Sequence, residues 1–595
     1  MKKSIISACL VAFAGASMLS LQSCGDELKP YPWIVEDDSQ NGDNLGATDM
    51  DALEKQMRTG IPYILNYSHE PDGSWAPHNY QYDRANSIDN YAGYWTTTKA
   101  NFSFGPALPT LYTDDNGYLG GAGETGTFQY CKDAIFSWNV ATYKTADGEE
   151  ILQPRPEWRA IALICEAYVA QEYVDAFGVM AFNDTRTQKR TRPMTYETGP
   201  EVYKQVLADL DEAIALLKEA QPGQGDLQRV EGADAEKTMT GWDWRYWVKF
   251  ANSIKLRMAL NIVDYNDPDP VYGPDSKPFV AQNIAEEAYQ DEIGVLMPTD
   301  PRDIAYHVTT HNCVWYFIGY SWNDIRLNAS LENILKHFKS PLLNEWFDNN
   351  SYAIKNPAGV TAPTSVYGVR SGLYMEDTGS PDAGGYGPFA QLSARHQYMK
   401  QPFFKRTEAT FLRAEGALRG WNMGGDAQSL YEEGIRLSLS EWGIDESEIT
   451  KYLNQDNLPA VEYRDYYNRV NDIAGRVTCG VKWNSADSKE LMLEKIITQK
   501  YIANFPMGME AWTTFRRTGY PRLFPVKINN MTNVDTEMQI RRVAFVADAN
   551  NAAELSQITE LLGGTQDCGT RVFWDVNSAT WAKDANGQYI PDNHL

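Results

Sequence analysis

Two spacings in this 595-residue chain resemble chemical motifs, the first of them letter for letter. Gly121-Ala122-Gly123-Glu124-Thr125-Gly126 has the G-x-G-x-x-G pattern that cradles a pyrophosphate. That job needs a strand before the glycines and a helix after them. Here Asp114-Asp115-Asn116-Gly117 precede the run and no helical pattern follows, so a glycine-rich loop is the better reading. His307 and His311 are four apart, the spacing of two zinc ligands on one helix turn, yet the glutamate of a zinc-protease motif is missing. Pro298 and Pro301 before them and Thr309-Thr310 between them argue for loop histidines instead of ligands. The 79 carboxylates do not reveal a pair held ~5–9 Å apart across a cleft, as glycoside hydrolysis requires. No G-x-S-x-G elbow or recognisable Cys/His nucleophile arrangement is present. Nothing in the chain requires catalysis, a cofactor or a metal.

The chemistry that remains is lipidation and aromatic contact. Lys2 and Lys3, an apolar run from Ile5 to Leu21, and Leu21-Gln22-Ser23-Cys24 follow the plan of a bacterial lipoprotein signal. Residues 1–23 are then the signal, Cys24 carries the acyl groups, and residues 24–48, acidic and broken by Pro30, Pro32 and glycines, form an extended leader. Residues 49–595 are the body. No later segment has the ~18 apolar residues of a membrane-spanning helix, so the lipid is the membrane attachment. The net charge of −26 repels phosphate backbones and argues against a nucleic-acid partner. Cys131, Cys165, Cys313, Cys479 and Cys568 show no Cys-x-x-Cys spacing. Zinc is therefore not expected; one or two disulfides are chemically permitted, and Cys165 in an apolar stretch reads as a small buried filler.

From Tyr63 to Tyr130 there are 14 aromatics in 68 residues, and from Tyr306 to Trp322 there are 6 in 17, against 12% for the whole chain. Both stretches are rich in Gly, Asn, Asp and Pro, so many of these rings belong on loops and offer a contact surface.

The elements that must hold those loops are helical. Apolar residues recur at three and four in 200–220, where Val202, Val206, Leu207, Leu210, Ile214 and Leu217 form one stripe. The same periodicity predicts helices at 157–177, 242–264, 278–290, 405–420, 426–442, 488–504 and 509–518. Asp487 and Glu490 have capping-box spacing at the start of 488–504. The eight helices fall into four consecutive pairs. In the third, Ala414, Gly416 and Ala417 face Tyr431, Ile435 and Leu439, small residues against large ones, as in tetratricopeptide-type hairpins. Trp242, Trp244 and Trp247 sit beside Phe250 in a helix and are expected in the core.

Several segments in order then resemble one family. They are Ser87-Ile88-Asp89-Asn90-Tyr91-Ala92-Gly93-Tyr94-Trp95, Asp175-Ala176-Phe177-Gly178 and Asp209-Leu210. Later come Phe411-Leu412-Arg413-Ala414-Glu415, Gln499-Lys500-Tyr501-Ile502-Ala503 and the run from Glu510-Ala511-Trp512 to Arg516-Arg517-Thr518-Gly519-Tyr520-Pro521. Behind a lipobox, this series is similar to the SusD/RagB nutrient-binding outer-membrane lipoproteins of Bacteroidetes, in their SusD-like subgroup. One departure is Arg541-Arg542-Val543-Ala544-Phe545-Val546, where the family usually has Arg-x-x-Tyr-Pro.

The resemblance implies a mainly α fold of four tetratricopeptide-like pairs with long insertions, about 63–130 and 300–400, that carry a ligand face. It implies a non-enzymatic, lipid-anchored protein on the external side of the outer membrane, with Asp26-Glu27 as a short acidic export signal. It would capture an oligosaccharide and pass it to a SusC-like TonB-dependent transporter. An oligopeptide carrier of the same architecture, or a surface glycosidase, are the alternatives. The expected ligand arc is Trp75, Tyr82, Tyr94, Trp95, Trp315, Tyr316 and Trp322, with Asn323 and Asp324 as polar partners. Trp512, Arg516 and Arg517 are expected to fix helix packing.

Overall fold

A computed structural model describes residues 77–97, 143–144, 150–151, 156–186, 193–233, 238–306, 312–348, 353–373, 385–529, 531, 533–545, 552–592 and 594–595. Cys24 and the rest of the signal and leader, Trp75, the glycine run 121–126, Cys131, His307 and His311 lie outside the described residues. So does the side chain of Tyr82.

All eight predicted helices form: α1 Pro156–Phe177, α2 Gly199–Ala220, α3 Trp244–Asn261, α4 Ala281–Gln290, α5 Arg406–Leu418, α6 Ala427–Glu441, α7 Lys489–Asn504 and α8 Gly508–Thr518. Local chemistry sets their ends. Thr198 and Glu201 close a capping box on α2, the Thr198 N–H donating to Glu201 Oε2 at 2.7 Å. Gly178 (φ 83°) follows α1 and Gly519 (φ 71°) ends α8, both left-handed positions that suit glycine. The start of α7 corrects the sequence reading. Ser488, not Asp487, is the cap and accepts from the Leu491 N–H at 3.2 Å, while Asp487 pairs with Lys495 at 2.6 Å.

The helices pack as the predicted pairs, α1 on α2, α3 on α4, α5 on α6 and α7 on α8. The first helices of the pairs also touch in series, α1 to α3 to α5 to α7, which stacks the hairpins. In the third pair the close approach runs opposite to expectation. Gly434 of α6 lies under the Phe411 ring of α5, where a Cβ would be 2.8 Å from Phe411 Cζ. Buried charges cross the stack: Arg257 of α3 donates to Glu408 of α5 at 2.7 Å, and Lys500 of α7 to Glu510 of α8 at 2.8 Å. Such pairs add little net stability but disfavour any packing that leaves one charge alone.

As expected, Trp247 is fully buried, but Trp242 and Trp244 are only half-buried at the helix start. Trp512 is buried with its Nε1–H donating to Ile540 O at 3.0 Å, and the Arg516 guanidinium lies 3.5 Å from its ring centroid. The departing segment is anchored too, by Arg541 on Asp575 at 2.6 Å and the Val543 N–H on Ala176 O at 2.8 Å. Cys165, Cys313 and Cys479 are free thiols, and Cys568 is buried.

Four short strands connect the insertions to this scaffold: β1 Trp95–Thr97, β2 Ile304–Tyr306, β3 Ile325–Leu327 and β4 Gln401–Phe404. β1 pairs antiparallel with β3, Trp95 opposite Leu327, and β4 pairs antiparallel with β2. The first pairing brings the two aromatic-rich stretches of the sequence together.

Candidate functional site

The segment before β3 carries the rings. A helical turn, Val314–Tyr316, runs directly into a π turn, Phe317–Ser321. The apolar Val314, Trp315 and Ile318 point inward and are buried, which leaves Tyr320 outward and 51% exposed. Tyr316 and Tyr320 stack with centroids 4.9 Å apart and planes 10° from parallel. One residue beyond the turn, half-buried Trp322 meets Phe317 edge-on at 4.7 Å. Asn323 then takes a left-handed conformation (φ 60°), and its Oδ1 accepts from Gln391 Nε2 at 3.1 Å. Gln391 also donates to Gly319 O, so one side chain ties the middle of the π turn to Asn323 beyond its end. The result is a ledge of rings, with Tyr320 outermost and Tyr316 behind it.

Four residues expected in the ligand arc are structural instead. Tyr94 is fully buried, packed on Tyr501 at 4.7 Å, and its hydroxyl donates to Tyr501 O at 2.6 Å. Trp95 is 1% exposed between Phe347 and Phe505. Trp315 is 1% exposed, edge-on to Tyr80 at 5.4 Å, with Nε1 3.4 Å from Asp89 Oδ2. Asp324 is buried and accepts from Gln81 Nε2. A ring with neither face open cannot stack on a ligand, and a carboxylate paired inside cannot bind a hydroxyl outside. Tyr316 is intermediate: buried under Tyr320, it supports the outer ring. Trp322 and Asn323 remain at the surface.

The inward side of Trp315 borders a gap of about 40 Å³ among Tyr80, Arg84, Asp89 and Glu510. That space suits a water and is too small for a sugar. Gly508 is required here, since a Cβ would lie 2.1 Å from Asp89 Oδ1. Burial pushes the Asp89 carboxyl up to about 7, against the opposing pull of Arg84.

A larger cavity, about 560 Å³, opens beside the ledge. Its walls include Arg302, Arg395, His396, Tyr398, Lys400 and Trp442. Tyr398 is 51% exposed and Trp442 half-buried, and His396 meets Trp442 edge-on at 4.9 Å. Cys313, at the base of the ring turn, ties ledge to cavity. Its N–H donates to Gln397 O at 2.6 Å and its thiol to His396 O at 3.4 Å. Tyr320, Tyr398 and Trp442 were not singled out from sequence. Tyr320 was detectable, lying four residues after Tyr316, and so was Tyr398, which sits among Tyr386, Phe389, Phe403 and Phe404, whereas Trp442 comes from a segment without aromatic enrichment. Among the described residues no group of three or more His, Cys, Asp or Glu could hold a metal ion, and no helix is long and apolar enough to cross a membrane.

Comparison with known proteins accords with this architecture. No curated protein matches the sequence. Among solved structures, a chitin-binding SusD homolog from Flavobacterium johnsoniae is 29% identical with a TM-score of 0.72, covering 88% of this chain and 99% of its own. A SusD-like protein from Bacteroides thetaiotaomicron is 26% identical with a TM-score of 0.69, covering 90% and 100%. A susd homolog from Bacteroides vulgatus, at 24% identity and a TM-score of 0.72 over 88% and 97%, shares the fold. The family model described as "SusD-like: Susd and RagB outer membrane lipoprotein" matches residues 40–575. By that match, over most of its length, the chain belongs to the SusD-like family of outer membrane lipoproteins.

Proposed function

We propose that the protein is a cell-surface nutrient-binding lipoprotein that holds an oligosaccharide without cleaving it. It is anchored through acylated Cys24 on the external face of the outer membrane and delivers its cargo to a SusC-like TonB-dependent transporter. The observation that carries this reading is the ring ledge, with the Tyr316–Tyr320 stack presenting its outer tyrosine to solvent and Trp322 beside it. The chitin-binding relative at 29% identity supports the choice of a saccharide over a peptide.

A pyranose offers an apolar C–H face to a flat ring and equatorial hydroxyls to neighbouring polar groups. Tyr320 and Trp322 supply the first kind of contact, and Asn323 the second. Trp75 and Tyr82, from the preceding insertion, complete the proposed arc. Aromatic packing contributes about 1 kcal/mol per ring beyond the area it buries, so three or four rings alone give about millimolar affinity, and the buried area and polar contacts extend it towards micromolar. Such weak holding suits a carrier that must release its cargo.

The test is retention of chitooligosaccharides and other glycans on the immobilised soluble chain beginning after Cys24. We expect retention without products, lost in the double variant Tyr320→Ala/Trp322→Ala. Retention unchanged by that variant, or release of shorter saccharides, would contradict the proposal.

A further inference from the structure

The cavity beside the ledge differs in charge from the rest of this acidic protein. Its lining includes five cations, Arg302, Arg395, Lys400, Lys405 and Arg406, against the three carboxylates of Asp303, Glu345 and Glu441. In a chain of net charge −26, a cationic recess is a local exception that the overall field does not explain.

Three of the cations are already occupied. Arg395 pairs with Glu345 at 2.9 Å, and Arg406 bridges Asp303 at 2.9 Å and Glu441 at 2.7 Å. Lys405 is buried and donates to the carbonyls of Ala503 and Phe505. Arg302 and Lys400 have no carboxylate partner among the described residues, yet both line the cavity. Arg302 is held in place: its guanidinium lies flat against Gly241, where a Cβ would be 2.6 Å from Arg302 Cζ and the backbone has φ 71°. A half-buried, positioned guanidinium and an exposed ammonium thus flank a volume of about 560 Å³, enough for one or two sugar rings. The same walls carry Trp442 and Tyr398, flat surfaces suited to a pyranose more than to a peptide backbone.

We propose that this cavity binds the carboxylate of a uronic-acid residue within an oligosaccharide whose uncharged neighbours lie on the ring ledge. The inference rests on the saccharide reading above and narrows it to acidic glycans. Arg302 and Lys400 receive the carboxylate, Trp442 and Tyr398 the ring that bears it, and the Cys313 bonds to Gln397 and His396 keep ledge and cavity in register.

The test uses titration calorimetry on the full soluble chain. The probes are oligosaccharides from polygalacturonate, alginate and hyaluronan, each with its carboxyl-reduced counterpart, and tetraglutamate. At least one acidic form should bind roughly tenfold more tightly than its reduced form at low salt, as expected for two partly exposed ion pairs. The preference should shrink as salt rises. In Arg302→Gln/Lys400→Gln the preference should vanish while the reduced form binds as before, which also shows that the variant is folded. If every acid binds no better than its reduced form, or the double variant keeps the preference, the inference falls and the saccharide reading survives. If no saccharide binds, both fall. Tighter binding of tetraglutamate than of any uronate would overturn the inference in favour of an acidic peptide.

Discussion

Replacing Glu415 by Gln tests whether the helix stack depends on its buried ion pairs. Glu415 of α5 is fully buried and accepts from Arg517 of α8 at 2.8 and 2.7 Å, and from Arg419 at 3.0 Å. Burial pushes the carboxyl up, but the Arg517 and Arg419 guanidiniums more than offset it and hold it at about 2, against 4.5 unperturbed. At 1.36 kcal/mol per unit, that depression corresponds to about 3 kcal/mol of stability. Removing one partner of a buried pair independently costs about 3–5 kcal/mol, because the remaining Arg517 charge stays desolvated. Urea unfolding of the soluble chain at pH 7 should therefore show Glu415→Gln less stable by about 3 kcal/mol. A carboxylate depressed in the folded state stabilises above its unfolded value and loses that contribution as pH falls. The gap between wild type and variant should thus narrow from pH 5 towards pH 3. The double variant Glu415→Gln/Arg517→Met should recover part of the loss, since no unpaired charge remains. A gap under about 1 kcal/mol at pH 7, or one indifferent to pH, would refute the reasoning.

Trp95→Ala should lower stability by about 3–5 kcal/mol, because it empties a space between Phe347 and Phe505, while glycan affinity of the folded protein stays unchanged; paired urea unfolding and calorimetry check this. Asp89, raised to about 7, binds its proton more tightly folded than unfolded, so its contribution to stability falls as pH rises from about 4 to 7. Asp89→Asn should remove that dependence, and its stability relative to wild type, read by urea midpoints at pH 5 and pH 8, should be higher at pH 8. Tyr320→Ala should weaken oligosaccharide binding about fivefold, the equivalent of one ring contact of about 1 kcal/mol, with the unfolding midpoint nearly unchanged because the ring is half exposed.

The helix pairs were legible where a member such as α2 or α4 presents a 3.6-residue stripe, which needs only its own segment to be seen. Helices α1 and α7 are buried on nearly every side and read as helices by their length and apolar content instead. Helix ends were less so. Asp487 and Ser488 are both good caps, and only the position of Lys495 shows which is used. The ring ledge was legible as composition but not as individual residues. Trp95 and Trp322 occupy similar loop-like sequence, yet one is enclosed and the other reaches the surface. What separates them is the pairing of Trp95 with Leu327, far along the chain, and the presence of Phe347 and Phe505 around it. The π turn adds a second obstacle. Five-residue spacing brings Phe317 to Trp322, while four-residue spacing stacks Tyr316 on Tyr320, so no single period sorts inward from outward rings. Arg302 lies far in sequence from the other cavity cations, Arg395, Lys400, Lys405 and Arg406, and the β2–β4 pairing together with the Arg406–Asp303 pair brings the two segments together.

The central claim is that the ledge grips a saccharide and leaves it intact. Its most direct test is titration of the soluble chain with oligosaccharides, followed by chromatography of the recovered ligand. Binding in the micromolar to millimolar range, dependent on Tyr320 and Trp322 and returning ligand of its original length, is the predicted result. Shortened ligand, or binding indifferent to both rings, would contradict it.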